Sequence, residues 1–443
     1  SLTPTGPMTQ RSAIADTICR TIELGVTITD AAIDAEDQTH LFCQVLAPKD
    51  ACPSCGQAGR LRDHVDREVA DLPIVGHPTP LHLKVPRYAC SNAECPTSVF
   101  RADISTIVGP RAQVTRRTTA WIMRRMIFDK MSVSAVAASV GLSWNTVNTL
   151  ALDAAHTLAS TPARLAGVRV LGVDEHKWKH VRGKGDSSFV TVLVDLTPVV
   201  DGTGPARLLD MVAGRSKAVL KDWLGARDPS FRDRIRVVAM DGFTGYRTAT
   251  AEALEKARPV MDPFHVIHLA AQKLTVCRQR VQQDTCGHRG RPGDPLYGIR
   301  RTLLTRIGLL TDKQKTRLRT GLDAREEHLA VSVTYAVYQE LIDAYDQERK
   351  RDGKILMYKV LKKIHTGLPA GLAELAQFGR SLWARRKEIL AYFDTGASNG
   401  PVEAINGRLE HLRGIALGFR NLNHYILRSL IHSGQLAEHL DAL

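Results

Sequence analysis

The spacing of apolar and polar residues changes period several times along this chain, and each change marks a different kind of element. Between residues 26 and 47, two short runs, VTITDAAI and HLFCQVLA, have the β-branched character of strands. Further on the alternation is clearer. Leu81, Leu83 and Val85 are apolar while His82 and Lys84 between them are polar, as in strands with one buried face. Over residues 115–131 the pattern turns helical and basic, with Arg116, Arg117, Arg124, Arg125 and Lys130 against Asp129. The next stretch, SVSAVAASVGLSWNTVNTLALDAA, reads as helix, turn, helix, with Gly141 at the turn and Ser143 capping the second helix.

From Val168 the period shortens again. VRVLGVDEHKWKH, SFVTVLVDL and ARLLDMVAG predict three successive strands, followed by a helix over 216–224 and a fourth strand, IRVVAMD. That order is β-β-β-α-β, and a further helix over 245–257, a short strand over 258–261 and a helix from Phe264 complete a mixed sheet. Residues 278–293, rich in Gly and Arg, read as a loop, and 296–392 as almost entirely helical. A stop at Ser398-Asn399-Gly400-Pro401 precedes a final helical segment.

A chain of 443 residues accommodates two to four domains. Its 60 Lys and Arg against 46 Asp and Glu leave a net charge of +14, a field that draws polyanions and makes nucleic acid the first partner to consider. No stretch has the 18 or so uninterrupted apolar residues a membrane span needs, so a soluble cytoplasmic protein is expected.

Four of the eight cysteines fall in two tight pairs, Cys52-Pro53-Ser54-Cys55 and Cys90-Ser91-Asn92-Ala93-Glu94-Cys95. Each pair can converge two thiolates on one ion, and the two together complete a tetrahedral shell, which predicts one structural Zn²⁺, with a redox Cys-x-x-Cys pair or buried thiols as the plain alternatives. The alternating segment between them suits the strands of a zinc ribbon. His64, His77 and His82 lie in the interval, but four thiolates already fill the site.

The helix-turn-helix pattern has a functional and a plain reading. Ser143, Asn145, Thr146 and Asn148 at the start of the second helix can reach base edges in a major groove, with the preceding arginines on phosphates. Any αα-hairpin could carry the same pattern.

Two aspartates stand out. Asp174 ends an apolar strand on the face of Val170 and Gly172, where an unpaired carboxylate is costly, and Asp241 stands at the end of IRVVAMD. Strand-end aspartates in one sheet suggest a shared hard cation such as Mg²⁺, with a third ligand from a helix. Glu403 and Glu410 are both candidates for it. A Glu in the first turn also has an ordinary structural role as a capping partner. Beyond Asp174 a basic run, with Lys177, Lys179, Arg182 and Lys184, is placed to hold a nucleic-acid backbone, or is simply a solvated turn. Trp178 and Trp383 could stack on an unpaired base, though a Trp is more often a core residue, and neither is counted as a site residue.

Taken together, the zinc pairs with Arg87-Tyr88-Ala89-Cys90, the helix-turn-helix, Leu171-Gly172-Val173-Asp174-Glu175, Met240-Asp241-Gly242, Asp262-Pro263-Phe264-His265, Ser398-Asn399-Gly400-Pro401-Val402-Glu403-Ala404-Ile405-Asn406 and Gly418-Phe419-Arg420-Asn421 resemble the Asp-Asp-Glu insertion-sequence transposases of the ISL-three branch. The resemblance runs in order along nearly the whole chain from about Gly25. It implies a multidomain α+β chain with an RNase H-like mixed-sheet catalytic core interrupted by an all-helical insertion. The expected divisions are a lead with short strands (1–46), a zinc ribbon (47–110), a helix-turn-helix DNA-binding domain (111–165), the first part of the core (166–285), the helical insertion (286–395) and closing helices (396–443).

The resemblance also implies Asp174, Asp241 and Glu403 as catalytic triad and as ligands of two Mg²⁺ or Mn²⁺ ions, and it raises Glu403 above Glu410. His265 then orients strand or phosphate, and Asp262 orients its neighbours or caps its helix; an ordinary partly buried histidine is the plain alternative. The implied activity is binding of terminal inverted repeats, hydrolytic DNA cleavage and joining of 3′-OH ends to target DNA by a homodimer or higher oligomer, in a bacterial, nucleoid-associated setting. A non-enzymatic DNA-binding regulator would explain the ribbon, the helix-turn-helix and the charge but not the aspartates. An RNase H-like nuclease without strand transfer would explain both.

Overall fold

A computed structural model describes residues 8–179 and 188–442. Arg182 and Lys184 of the expected basic run lie outside the described residues. The chain divides into two compact units, one formed by residues up to Arg164 together with the segment from Asn423 onward, the other by Leu165–Leu422.

In the first unit, β1 (Val26–Ile33) and β2 (Thr39–Val45) pair antiparallel, and β3 (Gly59–Ile74) and β4 (His77–Cys90) form a long hairpin. Val75 and Gly76 at its tip both have positive φ, the primed-turn geometry whose twist matches that of the flanking strands. β2 also runs parallel to β4, and β5 (Val99–Arg101) pairs antiparallel with β4. The sheet order is therefore β1-β2-β4-β3, with β5 beside β4. Leu81, Leu83 and Val85 are buried and His82 and Lys84 are not, as their alternation predicts.

Three helices follow, Arg116–Ile127, Val133–Val140 and Trp144–Ala159. Thr115, Ser132 and Ser143 cap them, each side-chain oxygen accepting from the backbone N–H three residues on. Gly141 has φ of 68°, and a Cβ on it would stand 2.9 Å from Pro78 of β4. The turn needs glycine for its left-handed backbone and for this contact.

The helix Leu422–Ser433 and the turn Leu436–Ala442 continue the first unit. Tyr425, Leu430 and Ile431 are buried, and Lys130 Nζ donates to the His432 carbonyl at 2.6 Å. The pattern of 396–443 reads as one closing segment of the core, yet the chain from Asn423 packs elsewhere. An amphipathic helix specifies an apolar stripe, not which surface will cover it.

The second unit is built on β6 (Val170–Lys177), β7 (Phe189–Asp195), β8 (Arg207–Ala213), β9 (Val237–Met240) and β10 (Arg258–Met261). β6, β7 and β8 are successively antiparallel, β9 runs parallel to β6, and β10 parallel to β9. The order β10-β9-β6-β7-β8 is that of an RNase H-like mixed sheet. On one face, Leu171, Val173, Leu193 and Val238 form a core with Leu220 and Trp223 of the helix Lys217–Gly225 and Tyr246 of the helix Thr244–Ala253. On the other face, Gly172 lies under the helix Gly400–Ile415: a Cβ there would be 2.5 Å from Val402 and 2.9 Å from Leu196.

Between β10 and that helix, five helices (Asp312–Leu322, Leu329–Tyr345, Lys350–His365, Ala373–Ala384 and Arg386–Thr395) share a core with the long helix Pro263–Cys286. The long helix runs through Arg278, where the composition suggests a loop. Ala270, Leu274, Cys277 and Val281 recur at helical spacing and are buried, and the helix stops at Gly287, whose φ is 74°. Helical burial outweighs the local Gly and Arg content.

Candidate functional site

The cysteine pairs meet. The sulfurs of Cys52, Cys55, Cys90 and Cys95 all lie within 4.8 Å of one another, with Cys52 to Cys95 at 3.8 Å and Cys55 to Cys90 at 3.5 Å. Gly56, at φ of 74°, turns the first loop so that its N–H reaches the Cys52 carbonyl at 2.8 Å. Desolvation opposes ionisation of Cys52, but N–H groups of Ser54 and Cys55 outweigh it and bring the thiol down to about 7. Four sulfurs at this spacing are a donor set for tetrahedral zinc.

On the second helix of the helix-turn-helix, Ser143 and Asn145 are exposed and Thr146 is half-buried. Ser143 Oγ accepts from the Thr146 N–H at 3.1 Å. Trp144, which the sequence reading passed over, is 51% exposed on the same turn. Two of the expected DNA contacts point inward. Asn148 is buried, and Arg117 is held by the buried carboxylate of Asp71 and by the carbonyls of Cys19 and Arg20 at 3.1 and 3.0 Å. A guanidinium so held ties β3 to the helix instead of reaching solvent. Arg116 donates to the Ser105 carbonyl at 2.6 Å, Arg125 pairs with Asp129 at 2.7 Å, and Arg124 is exposed.

In the second unit, Asp174, Asp241 and Glu403 line one cavity of about 200 Å³, with Glu175, Asp262, His265 and Asn399. Asp174 lies on the face of β6 that Gly172 shares, and the absence of a side chain at Gly172 lets the helix Gly400–Ile415 come close enough to bring Glu403 in. Asn399 precedes the first helical residue, Gly400, which puts Glu403 one place beyond the capping-box position. Glu410, the other candidate, is ion-paired with Arg413.

The neighbours of these acids hold them in place. Asp174 accepts from its own following N–H, that of Glu175, at 2.8 Å and from Asn406 Nδ2 at 3.0 Å. Asp241 accepts from the Phe243 N–H at 2.8 Å. Asp262 caps the long helix by accepting from the His265 N–H at 3.3 Å, and it takes the Asn399 N–H at 2.6 Å, tying two chain segments together. Burial, with the charges of Asp241, Glu403 and Glu175, pushes the Asp174 carboxyl up to about 7. Burial and then Asp262 raise Glu403, and burial raises Asp262. Burial lowers His265, against the opposing charge of Asp241, and so favours its neutral imidazole.

The carboxylates do not converge as tightly as the thiolates, since among the described residues only the four cysteines form a group of three or more whose ligand atoms all lie within 4.8 Å of one another. Their chemistry still fits a hard cation. Asp174, buried and facing other acids in a cavity with no cationic side chain among its lining residues, resists ionisation, and a divalent ion relieves this.

Lys177 at the end of β6 has its ammonium 5.7 Å from the Phe189 ring, and Lys179 is exposed beside Trp178. Sequence reasoning quoted Asn399 and Asn406 in a motif but assigned them nothing. Arg385 was missed entirely: it donates to the Gly242 carbonyl at 2.6 Å, beside Asp241, and pairs with the buried Glu388. No local pattern announces a contact 143 residues apart.

Among the described residues, no helix is long and apolar enough to cross a membrane. Comparison with known proteins matches each part in turn. Residues 48–95 match the zinc-finger of transposases IS204/IS1001/IS1096/IS1165, which with the cysteine geometry supports a structural zinc. Residues 103–155 match the helix-turn-helix domain of transposase family ISL3. Over 380 residues the chain is 26% identical to the transposase for insertion sequence element IS1001 of Bordetella parapertussis, covering 85% of this chain and 87% of that protein. It is also 26% identical over 328 residues to the transposase for insertion sequence element IS1557 of Mycobacterium tuberculosis, covering 69% and 68%. The residues that frame the acid cavity fall within a third match, a transposase model spanning 171–429, and with more than half its length so matched the chain belongs to the ISL3 family of transposases.

Proposed function

We propose that the protein binds the terminal inverted repeats of its insertion sequence, cleaves DNA there by metal-dependent phosphodiester hydrolysis, and joins the freed 3′-OH ends to target DNA, with Asp174, Asp241 and Glu403 as the catalytic carboxylates. The observation that carries this reading is that three acids, Asp174 from within β6 rather than at its end, Asp241 from just beyond β9 and Glu403 from a distant helix, border one cavity. Family membership supports the same assignment.

The three carboxylates would hold two Mg²⁺ or Mn²⁺ ions, which when bound supply charge for the phosphate oxygens and activation of the attacking water. The chain's own contribution is placement. Asn406 orients one oxygen of Asp174, the Phe243 N–H orients Asp241, and Asp262 anchors the turn that leads into the Glu403 helix. In hydrolysis a water oxygen bonds to phosphorus and the bond to the 3′-oxygen breaks. In joining, that 3′-oxygen bonds to a target phosphorus while the bond to the target's own 3′-oxygen breaks, and the proton given up by the attacking hydroxyl is balanced by the one taken up by the leaving oxygen.

Upstream of the chemistry, Ser143, Asn145 and Thr146 read base edges in this proposal, and Arg116, Arg124, Lys177 and Lys179 meet phosphates. Two DNA ends must be held together, so a homodimer or higher oligomer is the working form, acting in the bacterial cytoplasm on the nucleoid. The test is cleavage and strand transfer of labelled terminal-repeat DNA with Mg²⁺ or Mn²⁺. Asp174→Asn and Asp241→Asn should each abolish both steps, by roughly a thousandfold or more, since metal assistance contributes several kcal/mol to the transition state. Cleavage surviving in either variant removes the assignment, and wild-type cutting without joining makes the protein a nuclease.

A further inference from the structure

The acid cavity opens beside a second, larger one of about 650 Å³, and the two share Glu175, Asp241 and His265. Their charges differ. The acid cavity is bordered by five carboxylates, whereas in the larger one Arg215 pairs with Glu175 at 3.2 Å and Lys217, which also pairs with Glu252 at 2.6 Å, adds a second cation to the lining. A phosphate chain is repelled less on that side, and the space is ample for a nucleotide.

One wall is an exposed aromatic ring. Phe243, two residues after Asp241, is 38% exposed, although a ring of this size gains most by burial. It is also held. Its edge packs on the fully buried Tyr246, with centroids 4.9 Å apart and planes at 79°, and a Cβ on Gly245 would collide with it. On the same wall system Arg215 lies 3.9 Å over the Phe189 ring and 3.2 Å from Glu175. The two tryptophans that could have offered a stacking face do not: Trp178 is buried, and Trp383 stacks on His365 at 4.7 Å with Arg386 4.7 Å from its ring.

We infer that this cavity is a nucleotide subsite, in which Phe243 stacks on the base adjoining the scissile phosphate while Arg215 and Lys217 face the backbone. The inference rests on the phosphodiester reading of the acid cavity. It goes beyond that reading in giving one unpaired base a place and a partner. Stacking on an aromatic face tolerates any base, so the subsite positions the strand without reading its sequence.

The test is photocrosslinking of the full chain to a duplex carrying the element's end, with 5-iododeoxyuridine replacing each nucleotide in turn next to the cleavage site. The Asp174→Asn protein is used as well, so that the readout does not depend on cutting. The expected result is an adduct on the tryptic peptide 237–247 from one position only, reduced roughly tenfold in Phe243→Ala and retained in Phe243→Tyr. If neither protein gives an adduct on this peptide, or the adducts fall on Phe264 instead, the subsite is wrong, whatever the fold of the variants. If the adduct forms but the wild type never cleaves, the subsite stands and the catalytic reading falls.

Discussion

The two centres suited to metals are assembled in opposite ways. The thiolate centre comes from two loops at the same end of one hairpin, β3 with β4, and its sulfurs stand within 4.8 Å of one another. The carboxylate centre draws Asp174 from β6, Asp241 from beyond β9 and Glu403 from a helix on the far side of an inserted bundle, and its members stay further apart. Local chain geometry is enough for the first. The second needs the whole sheet and a glycine at 172 before its acids meet. A structural centre can be pre-packed because its metal is part of the fold, whereas a reactive one keeps room for substrate between its ligands.

Breaking the hairpin centre should have the largest effect. Cys52→Ser is expected to take zinc from one ion per chain to nearly none by elemental analysis. The ribbon then unfolds, because metal-linked folding energy in such sites is on the order of 10 kcal/mol. Terminal-repeat binding is lost with it, while Asp241→Asn leaves zinc content unchanged. A Cys52→Ser protein with full zinc would show that the four sulfurs are not the ligands.

The second test acts on the support beneath the carboxylate centre. Gly172→Val places a branched side chain where even a Cβ would be 2.5 Å from Val402, so the helix carrying Glu403 must move off β6. Displacement of a reacting group by about 1 Å costs roughly a hundredfold in rate. The expected outcome is cleavage reduced by about that factor with zinc content and DNA affinity kept. Unaltered cleavage would mean that Glu403 does not depend on this packing.

The contrast between the centres also explains what could be read from the chain alone. The cysteine pairs are legible because the ligand spacing and the loop that presents it are the same few residues. The sheet is legible too, since β6 to β8 are apolar runs of strand length and Asp174 and Asp241 end such runs. Glu403 is different. A Glu near a helix start has a structural use in most proteins, and only the resemblance singled it out. Arg117 reads as a DNA contact because basic helices often are, but its partner, Asp71, lies 46 residues away on β3. The same holds for Arg385 on the Gly242 carbonyl and for the helix from Leu422, whose partners are remote in sequence. Periodicity reports that a face is buried, never by what.

The smallest predicted effect isolates the electrostatics of the carboxylate centre. Asp174 is raised from an ordinary 3.8 to about 7, first by burial and then by the charges of Asp241, Glu403 and Glu175. A folded-state pKa above the unfolded one means that the native protein holds this proton more tightly. The stabilisation is complete below about pH 4 and is lost as pH rises through 7. Wild-type protein without added Mg²⁺ should therefore lose stability between pH 5 and pH 8. Asp174→Asn carries no charge to bury and should lose less, becoming the more stable protein at pH 8 by on the order of 2 kcal/mol after allowance for partial solvent screening. Thermal melts at the two pH values check this. Adding Mg²⁺ at pH 8 should reverse the order, stabilising the wild type and leaving the variant almost unmoved. Equal pH dependence in the two proteins would mean that Asp174 titrates as an ordinary surface acid, with no crowded charge for a cation to relieve.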